Sequence, residues 1–72
     1  MMNKWKAALD LARSGESKYK ILVKAIAGDI EQGVLANEQR LPPQRQVAVA
    51  MGISVQTVTN TYKELERQGL VR

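Results

Sequence analysis

Apolar residues recur at helical spacing in four separate stretches of this chain, with turn-forming residues between them. Trp5, Ala8, Leu9 and Ala12 fall at i, i+3, i+4 and i+7, one face of a first helix that closes near Ser14 and Gly15. Ser17 is placed to cap a second helix, where Tyr19, Leu22, Val23, Ile26 and Ile30 form a stripe that stops before Gly33. A connector over 34–43 follows, with Leu35 and Leu41 expected to tuck under the domain. Pro42 and Pro43 end any incoming helix and favour a new one just after them. The third helix is expected over 44–51, with Val47, Ala48 and Met51 inward. The fourth runs over 54–68, with Val58, Tyr62 and Leu65 inward and Gly69 as a left-handed cap. Leu70 and Val71 read as the start of a strand. One strand end cannot fill its own ladder, so the 72 residues read as the front of a longer protein.

The pattern therefore predicts a mainly all-α fold: a leader helix in 1–16, then one domain over 17–72. Within that domain the third helix runs into Gly52 and Ile53, and Ser54 then caps the fourth. Two helices joined by a three- to four-residue turn with glycine form the helix-turn-helix unit, which sets its second helix into a DNA major groove. Trp5 could anchor a partner, but burial of an amphipathic helix on its own domain is the commoner use of such a residue. The stripe from Tyr19 to Ile30 reads as core, a scaffold behind the two-helix reader.

Composition removes whole classes of function. The chain has no Cys and no His, so no thiolate or imidazole is present to hold a metal, form a disulfide or serve as nucleophile or base. No catalytic, cofactor-binding or metal-binding residue is expected. No apolar run approaches the ~18 residues of a membrane helix. Lys4, Lys6, Asp10 and Arg13 interrupt the first stretch, so it is no signal peptide. A cytoplasmic protein with no membrane partner is the plain reading.

Charge points the other way, toward a partner. Eleven basic residues against seven acidic give +4, which suits a polyanion. Placement is more telling than the sum. No Asp or Glu lies between Glu38 and Glu64, a stretch that contains Arg40, Arg45 and Lys63. A surface that approaches phosphates should lack carboxylates, which oppose the counterion release driving such binding.

Candidate contacts follow from that frame. Arg45, in the first turn of the third helix, is placed to reach a phosphate or a guanine edge; the plainer use is a solvated arginine or a pair with Glu38 or Glu66. Ser54, Val55, Gln56 and Thr57 form the turn that meets base edges. Gln56 can pair bidentately with adenine, and Val55 can touch a thymine methyl. Thr57 and Thr59 are expected to donate to phosphate, Asn60 to extend the reading one turn on, and Lys63 to touch the backbone. Arg67 reads as a backbone contact or as idle, and Glu64 and Glu66 as solvated. Four weak helix formers in a row, from Thr57 to Asn60, suit hydrogen-bonding duty better than helicity alone.

These residues resemble the GntR family of bacterial transcription regulators over about 17–72. The matching pieces are Tyr19, Gly33 with Leu35, Leu41-Pro42, Arg45 to Ala48, Met51 to Ser54, Thr57-Val58, and Tyr62 through Leu65 to Gly69. The resemblance implies a winged helix-turn-helix that stops here before its wing hairpin. It also implies a homodimer on double-stranded DNA at a near-palindromic operator, and a small-molecule effector acting through a domain outside this segment. Leu-Pro-Pro-Gln-Arg and Thr-Val-x-x-x-Tyr (Thr57 to Tyr62), with the Trp-bearing leader, look most like the MocR branch, which implies pyridoxal phosphate in that further domain and none here. The sequence departs from the family at Val55, where arginine is frequent, which shifts base reading to Gln56. It departs again at Asn37-Glu38, in place of Pro-Gly, and at Thr61, in place of a core-facing alanine. Thr61 is expected to bond back to the carbonyl one turn before it.

Two other readings stand beside DNA recognition. Folds of this shape also serve as protein-docking winged-helix modules, but a docking surface would more often be apolar at its centre, and 54–60 is mostly polar. An enzyme reading fails for want of a nucleophile–base pair.

Overall fold

The computed structural model describes residues 2–12, 15–33 and 41–71. Four helices follow one another: α1 (Met2–Asp10), α2 (Lys18–Glu31), α3 (Gln44–Met51) and α4 (Val55–Arg67). Each packs on two others in a closed ring, α1 on α2, α2 on α4, α4 on α3 and α3 on α1. Helix α4 thus has α2 along one flank and α3 along the other, and α1 lies across the ring from it.

The stripes seen in the sequence meet at the centre of that ring. Trp5, Leu22, Ile26, Val47, Val58 and Leu65 are fully buried together. Burial of aliphatic side chains of this size is worth ~1.5–3 kcal/mol each, which holds helices this short in place where propensity could not. Trp5 is thus a core residue. Helix α1 shares the core of the following domain, so the leader is packed on it.

Local chemistry sets the helix ends. Ser17 Oγ accepts from the Lys20 amide at the start of α2. Gly52 has φ of +69°, and the amide after it, that of Ile53, reaches back 3.1 Å to the Ala48 carbonyl. This left-handed closure turns the chain sharply into α4, and a side chain at Gly52 would be strained. Gly69 closes α4 in the same way, with the Leu70 amide 3.0 Å from the Leu65 carbonyl.

Leu70 and Val71, expected to start a strand, lie in no strand among the described residues. The Leu70 amide is committed to ending α4, and both side chains sit half-buried against the core. Helix α1 likewise stops at Asp10 and not near Gly15. At Ala12 the amide bonds to Leu9, three residues back, a tightening that ends the α-helical ladder. Leu41 packs half-buried on the core as expected. The expectations for Ser14, Leu35, Asn37-Glu38 and Arg40 fall outside the described residues.

Candidate nucleic-acid interface

Helix α4 faces two ways. Val58, Thr61 and Leu65 are buried. Gln56, Asn60, Lys63 and Arg67 follow at i, i+4, i+7 and i+11 and are exposed. Ser54 makes the helix start where it does: its Oγ accepts from the Thr57 amide at 3.1 Å and lies 2.8 Å from the Thr57 hydroxyl. Ser54 and Thr57 therefore satisfy each other, and the chain enters α4 with an exposed, capped first turn. Val55 stands 42% exposed beside them, an apolar point at the lip of the reader.

Further along the exposed face, Gln56 Nε2 donates to Asn60 Oδ1 at 3.0 Å. Both residues are exposed, and neither the Gln56 carbonyl oxygen nor the Asn60 amide nitrogen takes a side-chain partner among the described residues. Lys63 is exposed and has no ion-pair partner among the described residues. Arg45, exposed on the first turn of α3, makes no pair with Glu66, and Glu38 lies outside the described residues.

Thr59 is placed differently from expectation. Its side chain is half-buried, and the hydroxyl sits between Gln44 Oε1 and the Val55 carbonyl, 3.0 Å from the latter. The hydroxyl thus ties the first turn of α3 to α4 and does not stand out toward solvent. Sequence reasoning missed Gln44, since a contact across fifteen residues leaves no local signal. Thr61 behaves as the residues suggested: fully buried, with Oγ1 donating to the Thr57 carbonyl at 2.8 Å. Tyr62 is half-buried, and its hydroxyl donates to the Pro42 carbonyl at 2.6 Å, pinning the start of α3 to α4. Burial pushes that hydroxyl's pKa up to about 12.

The carboxylates near the reader are managed. Glu64 is not free: Arg67 Nε donates to it at 2.8 Å, and Gln68 Nε2 does so at 2.7 Å. These hydrogen bonds, Arg67's foremost, lower its pKa from 4.5 to about 2. Arg67 is correspondingly engaged, not idle. From Leu41 to Lys63 the chain contains no carboxylate, so the reader face presents amides, hydroxyls and the Arg45 and Lys63 cations. Such a face suits a polyanion read by hydrogen bonds.

Comparison with known proteins places the chain. Residues 18–72 match the family of bacterial regulatory proteins described as the gntR family, and the chain belongs to it. It is 37% identical over 71 residues to an uncharacterized HTH-type transcriptional regulator, YdeF, of Bacillus subtilis (strain 168), covering 93% of this chain and 14% of that protein. It is also 33% identical over 55 residues to an uncharacterized HTH-type transcriptional regulator, YjiR, of Escherichia coli (strain K12), covering 76% of this chain and 12% of that protein. The chain thus spans about one-eighth of the length of these relatives. No solved structure matches it.

Among the described residues, no helix is long and apolar enough to cross a membrane.

Proposed function

We propose that this chain is the sequence-specific DNA-binding domain of a bacterial transcription regulator, with α4 lying in the major groove. The observation that carries the reading is the exposed face of α4. It opens on a serine-capped turn, continues through the hydrogen-bonded Gln56–Asn60 pair, and shares a carboxylate-free stretch with Arg45. The two relatives, each named as an HTH-type transcriptional regulator, agree with this reading.

In this reading Arg45, Lys63 and the first amides of α4 set register on the phosphates, with the Ser54–Thr57 pair holding those amides in place. Gln56, with Asn60 and Val55, then specifies bases. Thr59 serves through Gln44, by fixing the angle between α3 and α4. Homodimerisation, a small-molecule effector, a pyridoxal phosphate domain and a cytoplasmic location belong to the same proposal for the whole protein. They rest on the family resemblance. The polar centre of the face argues against the protein-docking alternative.

Backbone-amide NMR titration with a mixed-sequence duplex, at low and then raised salt, tests the proposal. The expected result is a set of shifts centred on Arg45 and 54–60 that fade as salt rises, with affinity in the non-specific range of ~10⁻⁴–10⁻⁶ M at physiological salt. If those amides stay still at low salt, direct reading by α4 is wrong.

A further inference from the structure

Helix α2 was expected to be scaffold alone, but the side of it that lies against α4 is open and basic. A cleft of about 340 Å³ lies between the two helices, lined by Tyr19, Asn60, Lys63, Glu64 and Arg67. A second hollow, of about 410 Å³, shares Tyr19 and Glu64 with the first and continues along α2 past Lys20 and Lys24. Together they make a trough along the flank of α4 opposite α3.

We propose that this trough holds the sugar–phosphate backbone of a DNA strand bordering the groove that α4 enters, with Tyr19 donating its hydroxyl to a phosphodiester oxygen. The inference rests on the DNA-binding reading and adds a second backbone contact line to it. Three observations carry it. First, the charges suit a phosphodiester: Lys20, Lys24 and Lys63 line the trough, and its one carboxylate, Glu64, is offset by its ion pair with Arg67. Second, the donors are available. The Tyr19 hydroxyl makes no hydrogen bond with a described residue, and Lys20, Lys24 and Lys63 form no ion pairs among them. Third, the position fits. A helix in a major groove has a phosphate strand on each side, and α4 is flanked by α3 with Arg45 on one side and by this trough on the other. Asn60 and Lys63 belong to both the reader face and the trough, so the two surfaces are continuous.

Substitutions on α2 separate this inference from reading by α4. Binding of a labelled mixed-sequence duplex is measured over a range of salt for the protein, for Tyr19→Phe, for Lys20→Gln, and for Lys6→Gln as a charge-matched change on α1, across the ring from α4. Lys20→Gln is expected to lower the salt slope by ~0.9, which corresponds to about an eightfold loss at 0.1 M salt relative to 1 M. Tyr19→Phe, which breaks no hydrogen bond within the described fold, is expected to weaken binding of every sequence roughly three- to tenfold, the worth of one net hydrogen bond. Lys6→Gln should change the slope much less. If the duplex binds but both α2 variants match the parent in affinity and salt slope, the trough is not a backbone site and the reading by α4 stands. If the parent fails to bind the duplex at low salt, both fall.

Discussion

The Trp5 indole nitrogen donates to Asp29 Oδ2 at 2.9 Å, joining α1 to α2 through two buried side chains 24 residues apart. The other carboxylate oxygen faces Lys4 Nζ at 3.4 Å. An indole N–H at the bottom of a core needs an acceptor, and a buried carboxylate needs donors; each supplies the other's want.

Replacement of Trp5 by Phe keeps an aromatic ring but strips Asp29 of its buried donor. We expect a loss of at least ~1–3 kcal/mol, the cost of one unsatisfied buried polar group, with the cavity left by the smaller ring adding to it. Asp29→Ala orphans the indole N–H and should cost a similar amount. Urea unfolding followed by tryptophan fluorescence for the Asp29 variant, and by circular dichroism for both, gives the midpoints. A Trp5→Phe midpoint equal to the parent's would mean that the bond contributes nothing to docking α1.

Much of this architecture is legible in the sequence because its signals are local. The helical spacing of Val47, Met51, Val58 and Leu65, a glycine at 52 and a capping serine at 54 each act within one turn, and together they place α3 and α4. Thr61 was legible for the same reason: a hydroxyl on a core-facing position can reach only the carbonyl four residues back. Asp29 was not, because nothing near it in the chain marks it as the acceptor for Trp5. Gln44 escaped in the same way, since its partner Thr59 comes near only when α3 folds onto α4. Glu64 differs from both. Its bond to Arg67 spans three residues, a spacing that itself signals a pair on a helix, and solvation was the weaker inference. The strand expected at Leu70 forms no ladder among the described residues, where the Leu70 amide bonds back to Leu65, a closure that two apolar residues after a glycine suit equally well.

Tyr62 gives an alkaline signature. Its pKa rises to about 12 from 10.0 on burial, so the unfolded chain loses this proton first as pH climbs. The sign follows: the contribution is fully present below pH 10.0 and drains away between 10.0 and about 12. Spectrophotometric titration of phenolate absorbance should show a late component near pH 12 that Tyr62→Phe removes. The same variant leaves the Pro42 carbonyl without its donor and should cost ~1 kcal/mol. A titration curve unchanged by the substitution would assign the late proton elsewhere.

Glu64 gives the acid counterpart. Its pKa falls from 4.5 to about 2 under the hydrogen bonds from Arg67 and Gln68, so the unfolded chain takes up the proton first on acidification. Its contribution is present above pH 4.5 and is lost as pH falls toward 2. The pair sits at the surface, where such interactions are weak, so the expected effect on total stability is small. It is best read by NMR titration of the Glu64 side-chain carbonyl, which should hold its ionised shift to well below pH 4. Arg67→Gln should return the midpoint toward the ordinary carboxylate range. A midpoint near 4.5 in the parent would mean that Arg67 does not hold Glu64 in solution.

The Gln56–Asn60 bond predicts how base reading fails. Gln56 Nε2 spends one of its two protons on Asn60 Oδ1, and that bond fixes the rotation of the Gln56 amide before DNA arrives. On a preferred operator, Gln56→Ala should cost ~1–3 kcal/mol of discrimination at one base pair, whereas Arg45→Ala should weaken binding to all sequences alike. Asn60→Ala should produce part of the Gln56 defect even at the base pair Gln56 reads, because the freed amide samples orientations that present the wrong donor–acceptor order. The two substitutions together should then cost less than the sum of their separate effects, as residues in one hydrogen-bonded unit do. Selection of binding sites from a random duplex pool with the parent and the three variants reads all of this at once. Additive losses from Gln56→Ala and Asn60→Ala, at different base pairs, would show two independent readers in place of a coupled one.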